Sequence, residues 1–158
     1  MDVVLRWLFL PAFALSLLLL GGCSANGTRF QGLSAVDAGT AEIIVYRPDR
    51  FVHGGVPYYV ILDDKEVGTL RNAGFMSVKP SPGQHILKVQ AGYEDLYREV
   101  KTNISVVQGE RKLFRFEPSL SGGPIIIPGG AYVSVAIGLW QVDEPHALND
   151  LQDLKLSN

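Results

Sequence analysis

A single cysteine at the end of an apolar run constrains this chain more than any other feature. Residues 7–20 are almost wholly apolar, Arg6 precedes them, and two glycines then lead to Cys23, the only cysteine among 158 residues. A short start, an apolar run and small residues before a cut site are typical of a secretory signal peptide. The run of about 14 residues is shorter than the ~20 that span a bilayer, so an uncleaved membrane helix is the lesser alternative.

The stretch Leu20-Gly21-Gly22-Cys23 resembles the lipobox of bacterial lipoproteins. The resemblance implies that a lipid is attached to the sulfur of Cys23 and that a peptidase cleaves between Gly22 and Cys23. Residues 1–22 are then the lipoprotein signal peptide, and acyl chains anchor the mature protein to a membrane of the bacterial cell envelope. An Asp after the cysteine is the inner-membrane retention signal of that family. Ser24 therefore favours the outer membrane, facing the periplasm, in a Gram-negative host. The alternative is a cysteine that ends an ordinary signal peptide.

Composition predicts that the rest of the chain is all-β. Seventeen glycines, nine prolines, seven Phe and six Tyr indicate strands separated by many turns. The net charge of −2 and the lack of a basic patch argue against nucleic acid as a partner. With Cys23 lipidated, no thiol remains for a disulfide. We expect one β-sandwich domain over 41–158, after a lipidated flexible tether over 23–40 that is rich in Ser, Gly, Ala and Asn.

Apolar runs and turn signals predict an antiparallel β-sandwich of about seven or eight strands with a short C-terminal helix. Branched residues on both faces indicate that the first strand is central, and Phe114 and Phe116 share one face of a later strand. Asp143 is a candidate N-cap, and helical spacing after it predicts a helix that packs on the core, with partner binding as the alternative. The predicted strands cover residues 41–47, 57–63, 67–70, 75–79, 84–90, 97–107, 112–117 and 131–142.

Residues 119–130 stand apart because Ile125, Ile126 and Ile127 lie between prolines and glycines. One interpretation is a loop whose isoleucines close the end of the core. The other is an exposed apolar loop that contacts a membrane or a partner protein. These three isoleucines are the candidate interaction residues of the sequence.

No residue pattern indicates a catalytic site, a metal site or a cofactor. The alternation of His85 with apolar residues favours a structural or edge-strand histidine, and the acidic turn 63–66 lacks the ligand spacing of a calcium loop. Tyr58 and Tyr59 must point to opposite faces of a strand, so they cannot form one platform for a sugar. No histidine has a metal-binding spacing among His53, His85 and His146.

Four stretches of residues 41–117 resemble the DUF2846 family of bacterial lipoprotein-like domains. They are Ile44-Val-Tyr-Arg-Pro, Asp63-Asp-Lys-Glu-Val-Gly-Thr-Leu, Pro82-Gly-Gln-His and Gly109-Glu-Arg-Lys-Leu-Phe. The resemblance implies a β-sandwich related to carboxypeptidase-regulatory and PEGA-like modules, with no catalytic residues to carry over. Asp64 replaces the usual turn glycine.

Three functional hypotheses follow from these features. The first is a non-catalytic envelope lipoprotein that binds a protein partner through residues 119–130 or a sheet edge. The second is a module that binds a cell-wall glycan. The third, and least favoured, is an enzyme whose site is assembled across loops.

Overall fold

The protein is described by a computed structural model over residues 24–92 and 99–157. The predicted signal peptide 1–22, Cys23, most of the predicted loop 91–96 and the first residues of the predicted strand 97–107 lie outside these ranges. The elements are β1 (Glu42–Arg47), β2 (Tyr58–Leu62), β3 (Lys65–Leu70), β4 (Gly74–Val78), β5 (Gly83–Ala91), β6 (Glu99–Val106), β7 (Arg111–Leu120), β8 (Ile125–Ile127), β9 (Gly130–Tyr132), β10 (Val135–Val142), α1 (Glu144–Leu151) and β11 (Lys155–Leu156).

The strands form two packed sheets, which confirms the predicted all-β sandwich. One sheet has the order β10-β7-β1-β4-β11, the other has the order β3-β2-β5-β6, and β8 and β9 pair with each other. The prediction that the sandwich is antiparallel is wrong for the five-stranded sheet, which is mixed because β1 runs parallel to β7 and β11 runs parallel to β4. Parallel pairing needs a long connection. Between β1 and β7 that connection includes the whole of the other sheet.

β1 is a central strand that buries both of its faces, as predicted. Ile43 and Val45 pack between the sheets in the main core. Ile44 and Tyr46 pack on the outer side, beneath α1. β7 likewise places its two predicted core phenylalanines between the sheets.

Helix α1 covers part of the outer face of the five-stranded sheet. The Asp143 carboxylate accepts a hydrogen bond from the His146 backbone N–H at 3.1 Å, which satisfies one free donor of the first turn. Ala147 and Leu151 are fully buried, in one cluster with Leu113 of β7. The predicted helix, its N-cap and its packing on the core are confirmed.

Residues 24–33, which we call the strap, lie on the same outer face and differ from the predicted flexible tether. The Gly27 N–H donates to the carbonyl of Leu156 at 3.1 Å. Phe30 packs edge-on against Phe75, with ring centroids 5.4 Å apart. The strap is ordered because its few apolar side chains cover sheet surface beside α1.

The edge strand β10 turns an apolar face to the core. Val133 has the same alternation but lies before the strand and is exposed, although the predicted strand 131–142 included it. The opposite face of β10 has small residues. There the ring of Trp140 lies over Gly138, and a methyl group added to Gly138 would overlap the ring. The core-side residues are Val135, Ile137 and Leu139.

Candidate interaction surface

The register of the five-stranded sheet brings several loops to one end of the sandwich. β1 ends at Arg47, opposite the first residue of β4, Gly74. Because β7 is parallel to β1, its last residue Leu120 and the paired first residue of β10, Val135, lie toward the same end. The connections that emerge there are the β1–β2 loop (48–57), the turn 71–73 and the segment 121–134.

Ser24 lies at this end too, so we call it the Ser24 end. Ser24 forms a β-bridge with Asn72, and the Ala25 N–H donates to the Asn72 carbonyl at 2.9 Å. The Asn72 side chain donates to Asp49 Oδ1 at 2.5 Å and accepts from the Arg50 N–H at 3.0 Å. Asn72 therefore joins the strap directly to the β1–β2 loop.

A buried arginine shapes the β1–β2 loop. Arg47 has no exposed surface, and its guanidinium donates to the carbonyls of Val56 at 2.7 Å and His53 at 2.6 Å. The guanidinium carbon also lies 5.1 Å from the ring centroid of Tyr58. Burial lowers the pKa of Arg47 to about 10, so the side chain stays charged at neutral pH.

The β1–β2 loop presents Phe51 to solvent. The Phe51 side chain is 100 % exposed, the highest value among the large apolar residues of the described chain. Phe51 and Ser24 line the same surface depression. The neighbouring Arg50 is held in place by Glu117, with Nε and Oε1 2.5 Å apart. A fully exposed phenylalanine on a loop held by hydrogen bonds is suited to contact another surface.

Residues 125–132 form a β-hairpin, so the loop predicted over 119–130 is wrong in this part. Ile125, Ile126 and Ile127 of β8 pair with residues 132, 131 and 130 of β9. Pro128 and Gly129 make the turn, and Gly129 has φ 99°, which glycine adopts without strain. The Pro-Gly pair that suggested a loop is therefore a hairpin turn.

The hairpin exposes apolar surface. Ile126 is 81 % exposed, so the interpretation that the isoleucines close the core is wrong for this residue. Leu120 and Val133, on the two chain segments that lead into and out of the hairpin, are about half exposed. The hairpin and Phe51 thus bring exposed apolar residues to the Ser24 end.

His85 has a structural role. Its Nδ1 lies 2.6 Å from Asp63 Oδ2, and its Nε2 lies 2.8 Å from the Ser81 carbonyl oxygen. The hydrogen bond with Asp63 raises the pKa of His85, and the same bond lowers the pKa of Asp63. β5 is an inner strand of its sheet, which confirms the structural interpretation and not the edge-strand one.

The outer face of the four-stranded sheet is the other candidate surface. It holds a depression of about 400 Å³, in which Lys88, Lys101 and Asn103 surround Ile61 and Ile86. On this sheet one of the adjacent β2 tyrosines is fully buried and the next is partly exposed, so they point to opposite faces as predicted.

The described residues carry neither a metal-binding cluster nor a membrane-spanning helix. Within residues 24–92 and 99–157, no group of three or more His, Cys, Asp or Glu is arranged to hold a metal ion. In the same part of the chain, no helix combines the length and apolar character needed to cross a membrane. No protein-family model matches the chain, and no curated protein matches it either. The resemblances to lipoproteins and to the DUF2846 family therefore stay predictions.

Proposed function

We propose that the protein is a membrane-anchored lipoprotein of the bacterial cell envelope, whose non-catalytic β-sandwich binds a protein partner through the β8–β9 hairpin. The lipid is attached to Cys23, and in a Gram-negative host the domain faces the periplasm from the outer membrane. The observation that carries partner binding is the 81 % exposure of Ile126. A large apolar side chain exposed on a hairpin, with Leu120 and Val133 exposed beside it, is typical of an interaction site.

The hairpin also has the backbone geometry of a binding element. Among residues 24–92 and 99–157, β8 and β9 pair only with each other and join neither sheet. Each of them therefore keeps one edge whose backbone N–H and C=O groups are not engaged by another strand. A partner can pair with such an edge and receive Ile126 in an apolar pocket.

In-cell photo-crosslinking tests the partner. Ile126 is replaced by a photoreactive residue in the lipidated protein, and the adducts are identified by mass spectrometry. Val107 is the matched control, because it is an exposed aliphatic residue that follows β6 at the opposite end of the sandwich. We expect one discrete protein adduct from position 126 that is absent from position 107. Adducts to lipid alone, or no adduct, would contradict partner binding by the hairpin.

The anchor is tested separately by mass spectrometry of the purified mature protein. We expect the first residue to be Cys23, carrying the added mass of its acyl chains. The Cys23→Ser variant should lose both the lipid and the cleavage before residue 23. An N-terminus elsewhere, or an unmodified cysteine, would contradict the lipoprotein assignment.

A second candidate function is binding of a cell-wall glycan by the four-stranded sheet. The depression around Ile61 and Ile86 supports it, because Lys88, Lys101 and Asn103 supply hydrogen-bonding groups there. Under this hypothesis the protein co-sediments with cell-wall material, and Asn103→Ala weakens the association. Protein that remains in the supernatant excludes the glycan hypothesis.

A further inference from the structure

We propose that Phe51 inserts into the bilayer beside the lipidated Cys23 and so sets the orientation of the sandwich on the membrane. The inference rests on the lipid anchor of the proposed function. It adds a second contact with the same membrane, made by a protein side chain.

The first step is the short distance between the anchor and the fold. Cys23 and Ser24 are consecutive, and consecutive Cα atoms are about 3.8 Å apart. Ser24 is bridged to Asn72, and Ala25 is buried and hydrogen-bonded to the same residue. Because the acyl chains on Cys23 lie in the membrane, Ser24 and the loop residues beside it must lie close to the lipid headgroups. A flexible tether would have allowed the domain any orientation.

The second step is the position of Phe51. Phe51 and Ser24 line one depression, and Asn72 is bonded both to the strap and to Arg50, the residue before Phe51. The most exposed large apolar side chain of the described residues thus lies beside the point where the chain enters the membrane. Transfer of an aromatic ring from water to the boundary between headgroups and acyl chains is favourable in free energy, because it removes apolar surface from water.

The third step is the contrast between the two ends of the sandwich. At the Ser24 end, Arg50, the residue before Phe51, is paired with Glu117. At the opposite end Lys79 and Asp37 form an exposed ion pair, and Lys112 and Glu110 form a half-buried one. Moving such charges toward hydrocarbon is costly, so the opposite end remains in water.

A spin-label experiment tests the insertion. Cys23 is the only cysteine, and its sulfur carries the lipid, so Phe51→Cys supplies the one free thiol. The lipidated protein carries a nitroxide at position 51 or, as the control, at Val107→Cys. Both are reconstituted into vesicles of phosphatidylethanolamine and phosphatidylglycerol.

We expect the ratio of collisions with oxygen to collisions with nickel to differ between the two labelled positions. At position 51 the nitroxide should collide more with oxygen than with a water-soluble nickel complex, whereas at position 107 nickel should dominate. Equal access of nickel to both positions would overturn the inference. Mass spectrometry of the same samples distinguishes a failure of the lipid anchor from a failure of the insertion. If Cys23 carries no lipid, the proposed function is wrong. If Cys23 carries lipid and position 51 is in water, only the insertion of Phe51 is wrong.

A second measurement replaces the nitroxide by an aromatic ring. Phe51→Trp is placed in a Trp140→Phe background, which leaves one tryptophan in the mature chain. In vesicles that contain brominated lipids, we expect position 51 to lose fluorescence and the unaltered Trp140 of the parent protein to keep it. Equal quenching in the two proteins would contradict the specific role of Phe51.

Discussion

The guanidinium of Arg47 donates a hydrogen bond to the backbone carbonyl of His53 at 2.6 Å and so ties the β1–β2 loop to the end of β1. His53 itself has φ 56°, a left-handed conformation that is unusual for a residue other than glycine. The loop therefore holds a strained residue in place through a buried charge. Phe51, two residues earlier in the same loop, is fully exposed.

Replacing Arg47 with Met should loosen the β1–β2 loop. Two carbonyls lose their donors, so we expect the free energy of unfolding to fall by about 1–3 kcal/mol in urea titrations. The control is Arg29→Met, which breaks an exposed ion pair with Asp153 at 3.4 Å. Arg29→Met should alter the free energy of unfolding by no more than about 0.5 kcal/mol. Equal effects of the two variants would refute an organising role for Arg47.

Asp64→Gly should stabilise the protein. Asp63 and Asp64 form the β2–β3 turn with φ 50° and 64°, and glycine favours such angles. We expect a gain of about 1 kcal/mol in the free energy of unfolding, because the left-handed conformation costs an L-residue at least that much. Asp63→Gly is the matched control, because Asp63 Oδ1 accepts from the Ile86 N–H at 2.8 Å and its other oxygen bonds His85. That variant should be less stable than the parent. A loss of stability in Asp64→Gly would contradict the prediction.

The pair of His85 and Asp63 should make stability depend on pH. The folded pKa of His85 is raised above the ordinary histidine value of 6.5, so the contribution of His85 to stability is complete below pH 6.5 and is lost as the pH rises through the folded pKa. The pKa of Asp63 is lowered from 3.8, so its contribution is present above 3.8 and is lost as the pH falls.

Thermal unfolding between pH 4 and 9 checks the histidine arm of this prediction. We expect the melting temperature of the parent protein, relative to that of His85→Gln, to fall as the pH rises past 6.5. Comparing the two proteins at each pH removes the contributions of the other histidines. A constant difference across the range would show that His85 is not the titrating group.

Gly138→Ala should displace Trp140. The indole ring covers Gly138, and an added methyl group would overlap two ring carbons. Trp140 is the only tryptophan in residues 23–158, the part of the chain that follows the proposed cleavage site. We therefore expect a red shift of its emission and stronger quenching by iodide. Ala136→Ser, on the same face of β10, serves as the control and should leave the emission unchanged.

Local sequence patterns were sufficient to predict the first seven strands and α1. Apolar runs bounded by Pro, Gly or Asp mark a strand without knowledge of its partner, and Asp143 marks the helix start in the same way. The exposure of Ile126 was one of two interpretations that the sequence allowed for three isoleucines between prolines and glycines.

Pairings between distant segments could not be predicted in this way. The strap looked like a linker because its composition is polar and small, yet backbone hydrogen bonds to residues 154 and 156 hold it. The parallel pair of β1 and β7 joins Glu42 to Arg111, and nothing in either strand encodes that partner. β11 has only two residues, too few for any period to show.

The alternation of apolar and polar residues does not predict where Arg47 lies. Arg47 follows Ile43 and Val45 on the core-facing side of β1, where alternation would put an apolar side chain. A charge in that register is a signal that a nearby loop turns its carbonyls inward. The exposure of Phe51 therefore could not be predicted without knowing that the carbonyls of His53 and Val56 accept hydrogen bonds from Arg47.

The strap and the C-terminal residues also determine when the fold can be completed. Phe30 N–H bonds the carbonyl of Leu154, and Leu156 N–H bonds the carbonyl of Thr28. Residues near the start of the described chain are thus held by residues more than 120 positions later. Contacts between such distant residues form slowly. The strap can therefore be fixed on the sheet only after residues 154–156 have been made, and until then the outer face beside α1 stays uncovered.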